Sequence, residues 1–291
     1  MFSKVVYATS LSDTSRRVAE CLEGLRTVGT REIVLVHAMD LRGVGTLYDQ
    51  LKEPAEEELA KQKVVLEAAG FEVSIELRLG LPYYEILEAA RQHQASLIAV
   101  HTTAGSRAGE LFRGGVAHEV VNKSTLPLLV LRAQMVDEEA DCPGEVICRE
   151  YFTHVLYPTD FSDTAERALA WVERIVQAGC PRVTLMHVQD RSRIQHHLEH
   201  KLEEFNRIDS ERLEAVKARL EAKGEVEVDY ELFYGSPPQE ILRQAQEYDY
   251  SLIVMGSQGR GFIQEVFLGS VSHKVMSYAP APVLLIPAER G

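Results

Sequence analysis

The chain has 291 residues, 45% hydrophobic and 26% charged, with a formal net charge of −13. At roughly 100–200 residues per domain this is the balance of a globular protein with two domains, and the excess of acid repels nucleic-acid backbones. The longest apolar runs, Leu126–Leu131 and Ala281–Pro287, fall far short of the roughly 20 residues that span a bilayer; with no signal-peptide pattern at Met1–Lys4, we expect a cytoplasmic chain that meets neither membrane nor nucleic acid. Cys21, Cys142, Cys148 and Cys180 form no Cys-x2-Cys pair and read as free thiols of a reducing compartment.

In chain order, the first informative stretch is Val5–Thr14, and it returns at Val155–Thr164 with six of ten positions identical. Leu35-Val36-His37 lies over Leu185-Met186-His187 at the same offset, and after the offset grows by five, Glu85-Ile86-Leu87 matches Glu240-Ile241-Leu242. Gly114, His118, Val120 and Pro127 then match Gly269, His273, Val275 and Pro282. A period of half the chain is a duplicated domain, not a solenoid. Between the copies, Ala133–Glu150 carries six acidic residues and one basic one around Pro143-Gly144, and reads as a solvated linker. The domains are therefore set at 1–135 and 151–291, with an acidic linker at 136–150.

The second copy gives the clearer element pattern. His154–Tyr157 reads as a strand, Ser162 and Asp163 as N-cap candidates, and Ala165, Ala168, Leu169, Val172 and Ile175 as one helical stripe stopped by Gly179 and Pro181. Strand Arg182–Val188 and a long charged helix over Arg191–Lys223 follow, ending at Gly224. Strand Glu225–Phe233 has one wetter face; helix Pro237–Glu247 has Pro in its first turn. Strand Ser251–Met255 is wholly apolar and leads into a glycine-rich loop. Helix Ser270–Tyr278 and strand Val283–Ile286 close the pattern. Strands alternating with helices predict an α/β fold: doubly wound parallel sheets, helices on both faces, binding ligands at the carboxyl ends of the strands.

The loop carries Gly256, Gly259 and Gly269-Ser270, a Gly-x2-Gly-x9-Gly-Ser spacing. Gly256 ends a strand where a Cβ would obstruct a ligand, Gly259 is free to take positive φ and turn backbone N–H groups toward an anion, and Gly269-Ser270 opens a helix whose first N–H groups lack partners. With hydroxyls from Ser270 and Ser272, this predicts a phosphate cradle. There is no Gly-x4-Gly-Lys-Ser/Thr, which excludes a P-loop ATPase, and Gly43-Val44-Gly45 lacks dinucleotide spacing. His196, His197 and His200 cluster without a completing carboxylate or cysteine and read as a polar helix face. His37 and His187 read as packing or hydrogen-bonding residues at strand ends.

Together with Tyr157-Pro158-Thr159-Asp160-Phe161-Ser162, Leu185-Met186-His187-Val188 and the closing Ala279–Ile286, this loop resembles the universal stress protein family in its tandem form. The resemblance implies five-stranded parallel sheets of order 3-2-1-4-5 and an adenine nucleotide, ATP or AMP, bound across the strand ends, with Mg²⁺ accompanying a triphosphate. It implies pairing of the two domains within the chain and a homodimer. Gly256, Gly259, Gly269 and Ser270 would hold the phosphates, beside Ser257, Arg260, Val271 and Ser272. Val188 would pack on adenine, while Pro158, Thr159 and Asp160 line the adenosine end and Met255 precedes the loop. Copy one has His101, Ala104, Gly114 and Gly115 at the motif positions, Ser10 for Asp160 and Ala38 for Val188, so its site is expected to be degenerate, with Gly105-Ser106-Arg107 keeping some polarity. The expected function is a nucleotide-binding stress-response or signalling module. The alternative is a slow ATPase or nucleotidyl-transfer enzyme, for which Asp160, Glu265 and His273 are the candidate bases.

Overall fold

Strand β1 (Lys4–Ala8) and its counterpart β6 (Val155–Pro158) are the buried centres of two sheets. These come from a computed structural model that describes residues 1–40, 47–104, 115–134, 150–192, 201–259 and 268–289. The chain divides into two compact units, Met1–Arg149 and Glu150–Gly291. In unit one, β2 (Glu32–Asp40), β3 (Glu72–Gly80), β4 (Leu97–Ala104) and β5 (Leu128–Gln134) join β1 in a parallel sheet of order β3-β2-β1-β4-β5. In unit two, β7 (Arg182–Asp190), β8 (Glu227–Gly235), β9 (Leu252–Gly256) and β10 (Val283–Ile286) repeat it as β8-β7-β6-β9-β10, again parallel. Both are the doubly wound 3-2-1-4-5 arrangement.

The described helices of unit one are α1 (Asp13–Cys21), α2 (Tyr48–Ala68), α3 (Pro82–Gln92) and α4 (Val116–Lys123); those of unit two are α5 (Asp163–Gln177), α6 (Leu202–Glu221), α7 (Pro237–Glu247) and α8 (Ser270–Tyr278). Right-handed crossovers send the helices before and after the reversal of strand order to opposite faces. Accordingly α1 packs with α2, and α3 with α4; α5 packs with α6, and α7 with α8. Both faces of the central strands are covered, so Val155–Pro158 and Leu252–Gly256 are buried throughout, while edge strand β8 exposes Glu227, Glu231 and Tyr234. Strand order reverses between β6 and β9, which opens a crevice at their carboxyl ends.

The stop signals act as the sequence predicts. Ser162 caps α5 by accepting from the Ala165 N–H at 3.3 Å, and Gly179 follows its end at φ +101°. Of the long helix expected over Arg191–Lys223, Leu202–Glu221 is helical and Arg191-Ser192 is instead a turn; the histidines at 196, 197 and 200 lie outside the described residues, as do Gly43-Val44-Gly45 and the linker core 135–149. The cysteines differ from the expectation of four free thiols. Cys180 is a buried free thiol, but Cys21 is in a disulfide; Cys142 and Cys148 lie outside the described residues. Among the described residues no helix is long and apolar enough to cross a membrane.

Each central strand is tied to the following helix by a buried phenol. Tyr7 Oη donates to the Ser15 carbonyl at 2.9 Å and Tyr157 Oη to the Ala165 carbonyl at 2.7 Å. Tyr157→Phe keeps the ring and removes the bond, so urea unfolding should show a loss of about 1 kcal/mol; an unchanged midpoint would mean the hydroxyl does not anchor α5.

Candidate functional site

The turn from β6 into α5 is held in an uncommon conformation. Phe161 sits at φ +56°, and its counterpart Leu11 at φ +63°, a left-handed backbone that costs a non-glycine residue roughly 1–3 kcal/mol. Three hydrogen bonds compensate in unit two. Thr159 Oγ1 accepts from the Phe161 N–H at 3.0 Å, Asp160 Oδ1 accepts from the Ser162 N–H at 3.1 Å, and His187 Nδ1 donates to the Thr159 carbonyl at 2.7 Å. A carbonyl only accepts, so Nδ1 carries a proton. Unit one repeats the histidine bond, His37 Nδ1 to the Thr9 carbonyl at 2.8 Å.

The strand ends of unit two enclose a cavity of about 470 Å³, within the roughly 300–1,000 Å³ of small-ligand sites. Its apolar part comes from Met186, Val188, Phe205, Ile208, Pro237 and Ile241, with Met255 behind. Its polar part is the glycine loop: Gly256, Gln258, Gly259, Gly269, Ser270, Val271 and Ser272 line it together with Pro158, Thr159 and Asp160. Gly269 is the N-cap of α8 and supplies no capping side chain. The first N–H groups of α8 thus stand at the cavity with the positive end of the helix dipole.

The glycines serve closer contacts than expected. Neither Gly256, Gly259 nor Gly269 is among the described positive-φ residues, which corrects the expectation of a left-handed Gly259. A Cβ on Gly259 would instead meet Asp160 Oδ2 at 2.4 Å. A Cβ on Gly256 would meet Thr164 Cγ2 at 2.8 Å and its backbone C and O at 3.1 Å, so Gly256 lets β9 lie against the start of α5. Ser257 does not line the cavity. It is buried, its N–H donating to the Ile286 carbonyl and its carbonyl accepting from the Gly269 N–H at 2.7 Å, which closes the loop. The Ser272 hydroxyl, expected to face an anion, donates to the Gly256 carbonyl at 2.9 Å. Arg260 and Glu265 lie outside the described residues, and His273, in α8, is outside the cavity lining.

The profile of the universal stress protein family matches residues 1–132 and again 152–287. The chain belongs to that family. Universal stress protein MJ0577 of Methanocaldococcus jannaschii is 32% identical over 154 residues, covering 46% of this chain and 94% of its own. A universal stress protein of Thermus aquaticus is 37% identical over 137 residues, covering 46% and 98%. A solved universal stress protein from Archaeoglobus fulgidus covers 100% of both chains at 26% identity with a TM-score of 0.75. The first two relatives each correspond to about half of this chain; the third aligns along both halves.

Within this tandem universal stress protein the two copies part company at the fourth strand of each unit. β9 ends at Gly256, but β4 continues through His101 to Ala104, pairing Ala104 with Gln134 of β5. Strand therefore replaces the first turn of the glycine loop. The His101 imidazole packs into a hydroxyl cluster: Nε2 lies 3.1 Å from Ser15 Oγ and 3.5 Å from Ser10 Oγ, with the Tyr7 hydroxyl 3.5 Å from Nδ1. Ser10 is the counterpart of Asp160. Gly115 caps α4 at φ −81°, whereas Gly114 and Gly105-Ser106-Arg107 lie outside the described residues.

Sequence reasoning missed the contribution of α6. Phe205, Ile208, Asp209 and Arg212 all line the cavity, at the i, i+3, i+4, i+7 spacing of one helical face. A stripe that mixes two apolar residues with an acid and a base was the available signal. Asp209 Oδ2 accepts from Gln189 Nε2 at 2.9 Å and stands 3.6 Å from His187 Nε2.

Burial pushes the His101 imidazole down to about 4 from 6.5, against an opposing hydrogen bond to the Ala8 backbone. The unfolded chain then takes up a proton that the folded chain refuses, so stability is complete above the unfolded value and is lost as pH falls toward 4, by up to about 3 kcal/mol. Burial pushes His37 in the same direction. Urea titrations across this range should show His101→Gln with a flatter pH dependence than the wild-type chain; parallel curves would contradict the assignment.

Proposed function

We propose that the second unit binds an adenine nucleotide and that the chain is a binding or signalling module whose partner choice follows occupancy of that site. The observation that carries this reading is the cavity itself. It brings apolar side chains, Val188, Phe205, Ile208 and Ile241, together with the uncapped N-terminus of α8 and the glycine loop. A planar apolar group at one end and phosphates at the other match those two chemistries. Thr159 and Asp160 line the same cavity, and a carboxylate there would accept from ribose hydroxyls. Mg²⁺ takes one or two carboxylates plus phosphate oxygens and water, and Asp160, beside Gly259, is the residue that would hold it with a triphosphate.

The degenerate first unit fits the same reading. An extended β4 and a ring packed on Ser10 and Ser15 leave no described counterpart of the Gly256–Gly259 turn. Loss of several charge-assisted phosphate hydrogen bonds, at roughly 1.5–3 kcal/mol each, lowers affinity by several powers of ten.

Gly259→Val tests the cradle. Its side chain would displace Asp160 or the loop, so titration calorimetry should show ATP binding weakened about tenfold or more, with the thermal midpoint largely kept because Gly259 is half-exposed. Unchanged affinity would mean that the loop does not hold the phosphates.

A further inference from the structure

Among the described residues that line the cavity, Arg212 is the one with a permanent positive charge, set against the carboxylates of Asp160, Asp190 and Asp209. Its guanidinium carbon lies 5.2 Å from the centre of the Phe161 ring, a cation–π contact. Phe161 directly follows Asp160, whose Oδ2 occupies the space a Cβ of Gly259 would take. Arg212 is thus linked through Phe161 and Asp160 to Gly259, and it lines the same cavity as the glycine loop.

The charge of Arg212 is not used up where it stands. Its ion pair with Asp209 spans 3.8 Å and the Arg212 side chain is 52% exposed, so that pairing is weak and screened. Setting the fully buried Leu59 and Leu66 of α2 on Leu213 and Leu220 of α6 puts Glu58 at the Arg212 position and Ala55 at the Asp209 position. The copy that lacks the glycine loop thus also carries the opposite charge here, next to Arg16 at 3.8 Å.

We infer that Arg212 is a specificity-determining residue of this site, which reads the outer phosphates and makes the cavity prefer nucleoside di- and triphosphates over monophosphates. The inference rests on the nucleotide reading above. A single phosphate is within the province of the backbone cradle at Gly259, Gly269 and Ser270. Each further phosphate adds negative charge beside Asp160, and that charge needs a cation. A guanidinium matches phosphate oxygens with two parallel donors, a geometry an ammonium cannot reproduce.

The test is titration calorimetry of the full-length chain with ATP, ADP, AMP and adenosine, for the wild type, Arg212→Ala, Arg212→Lys and Arg212→Glu. Arg212→Ala should weaken ATP and ADP about tenfold while AMP and adenosine change less than about twofold. Arg212→Lys should recover part of the loss, and Arg212→Glu should deepen it. A thermal melt of each variant checks that the exposed substitution leaves the fold intact. Equal weakening of ATP and AMP, or unchanged ATP affinity in Arg212→Ala, overturns the inference while leaving the nucleotide reading in place. A wild-type chain that binds none of the four overturns both.

Discussion

The hydrogen bond from the His187 ring to the Thr159 carbonyl is the contact on which the site depends. It joins the end of the second strand to the turn that leaves the first. With the Thr159 hydroxyl it keeps Phe161 in a left-handed backbone that an aromatic residue does not otherwise favour. That conformation presents Asp160 to Gly259 and turns Phe161 to receive Arg212. The same clamp, His37 to Thr9 with Leu11 left-handed, persists in the first unit. It is therefore a property of the duplicated fold, shared by the copy with the glycine loop and the copy without it.

The copies diverge where the backbone leaves the sheet. Glycines in unit two allow β9 to approach α5 and let the chain leave the sheet at Gly256, with the Ser257 carbonyl bonded to the Gly269 N–H. In unit one an imidazole at the same point finds its partners among Ser10, Ser15 and Tyr7, and the strand runs on to Ala104. One substitution, glycine to histidine, thus accompanies both a longer strand and a polar cluster where Asp160 has its counterpart. The fold tolerates this because the sheet core, Val5 to Tyr7 and Leu97 to Val100, is fully buried and indifferent to what happens past its carboxyl end.

Much of this architecture is legible in the residues. Pro at the first turn marks α7 at Pro237–Glu247, and Gly269-Ser270 opens α8 at Ser270–Tyr278, both as observed. Strand order follows from the family resemblance and not from periodicity, which says nothing about which strands are neighbours. The candidate site was legible as a loop but not as a cavity. Spacing reveals glycines, yet not whether they serve a backbone angle or a close approach; Gly259 proves to be the second case. The α6 wall was hidden because Phe205, Ile208, Asp209 and Arg212 sit in a charged helix whose buried anchors are Leu213 and Leu220. Only tertiary packing tells a cavity-lining charge from a solvated one. The Cys21 disulfide was equally invisible, since spacing alone favours reduced thiols.

The central claim is that one duplicated fold carries one working nucleotide site, in its second half. Equilibrium dialysis of the intact chain against labelled ATP measures this directly. The account predicts saturation at a single tightly bound nucleotide per chain, retained in His101→Gln and lost in Gly256→Val. Two equivalent sites per chain, or one site that survives Gly256→Val, would contradict it.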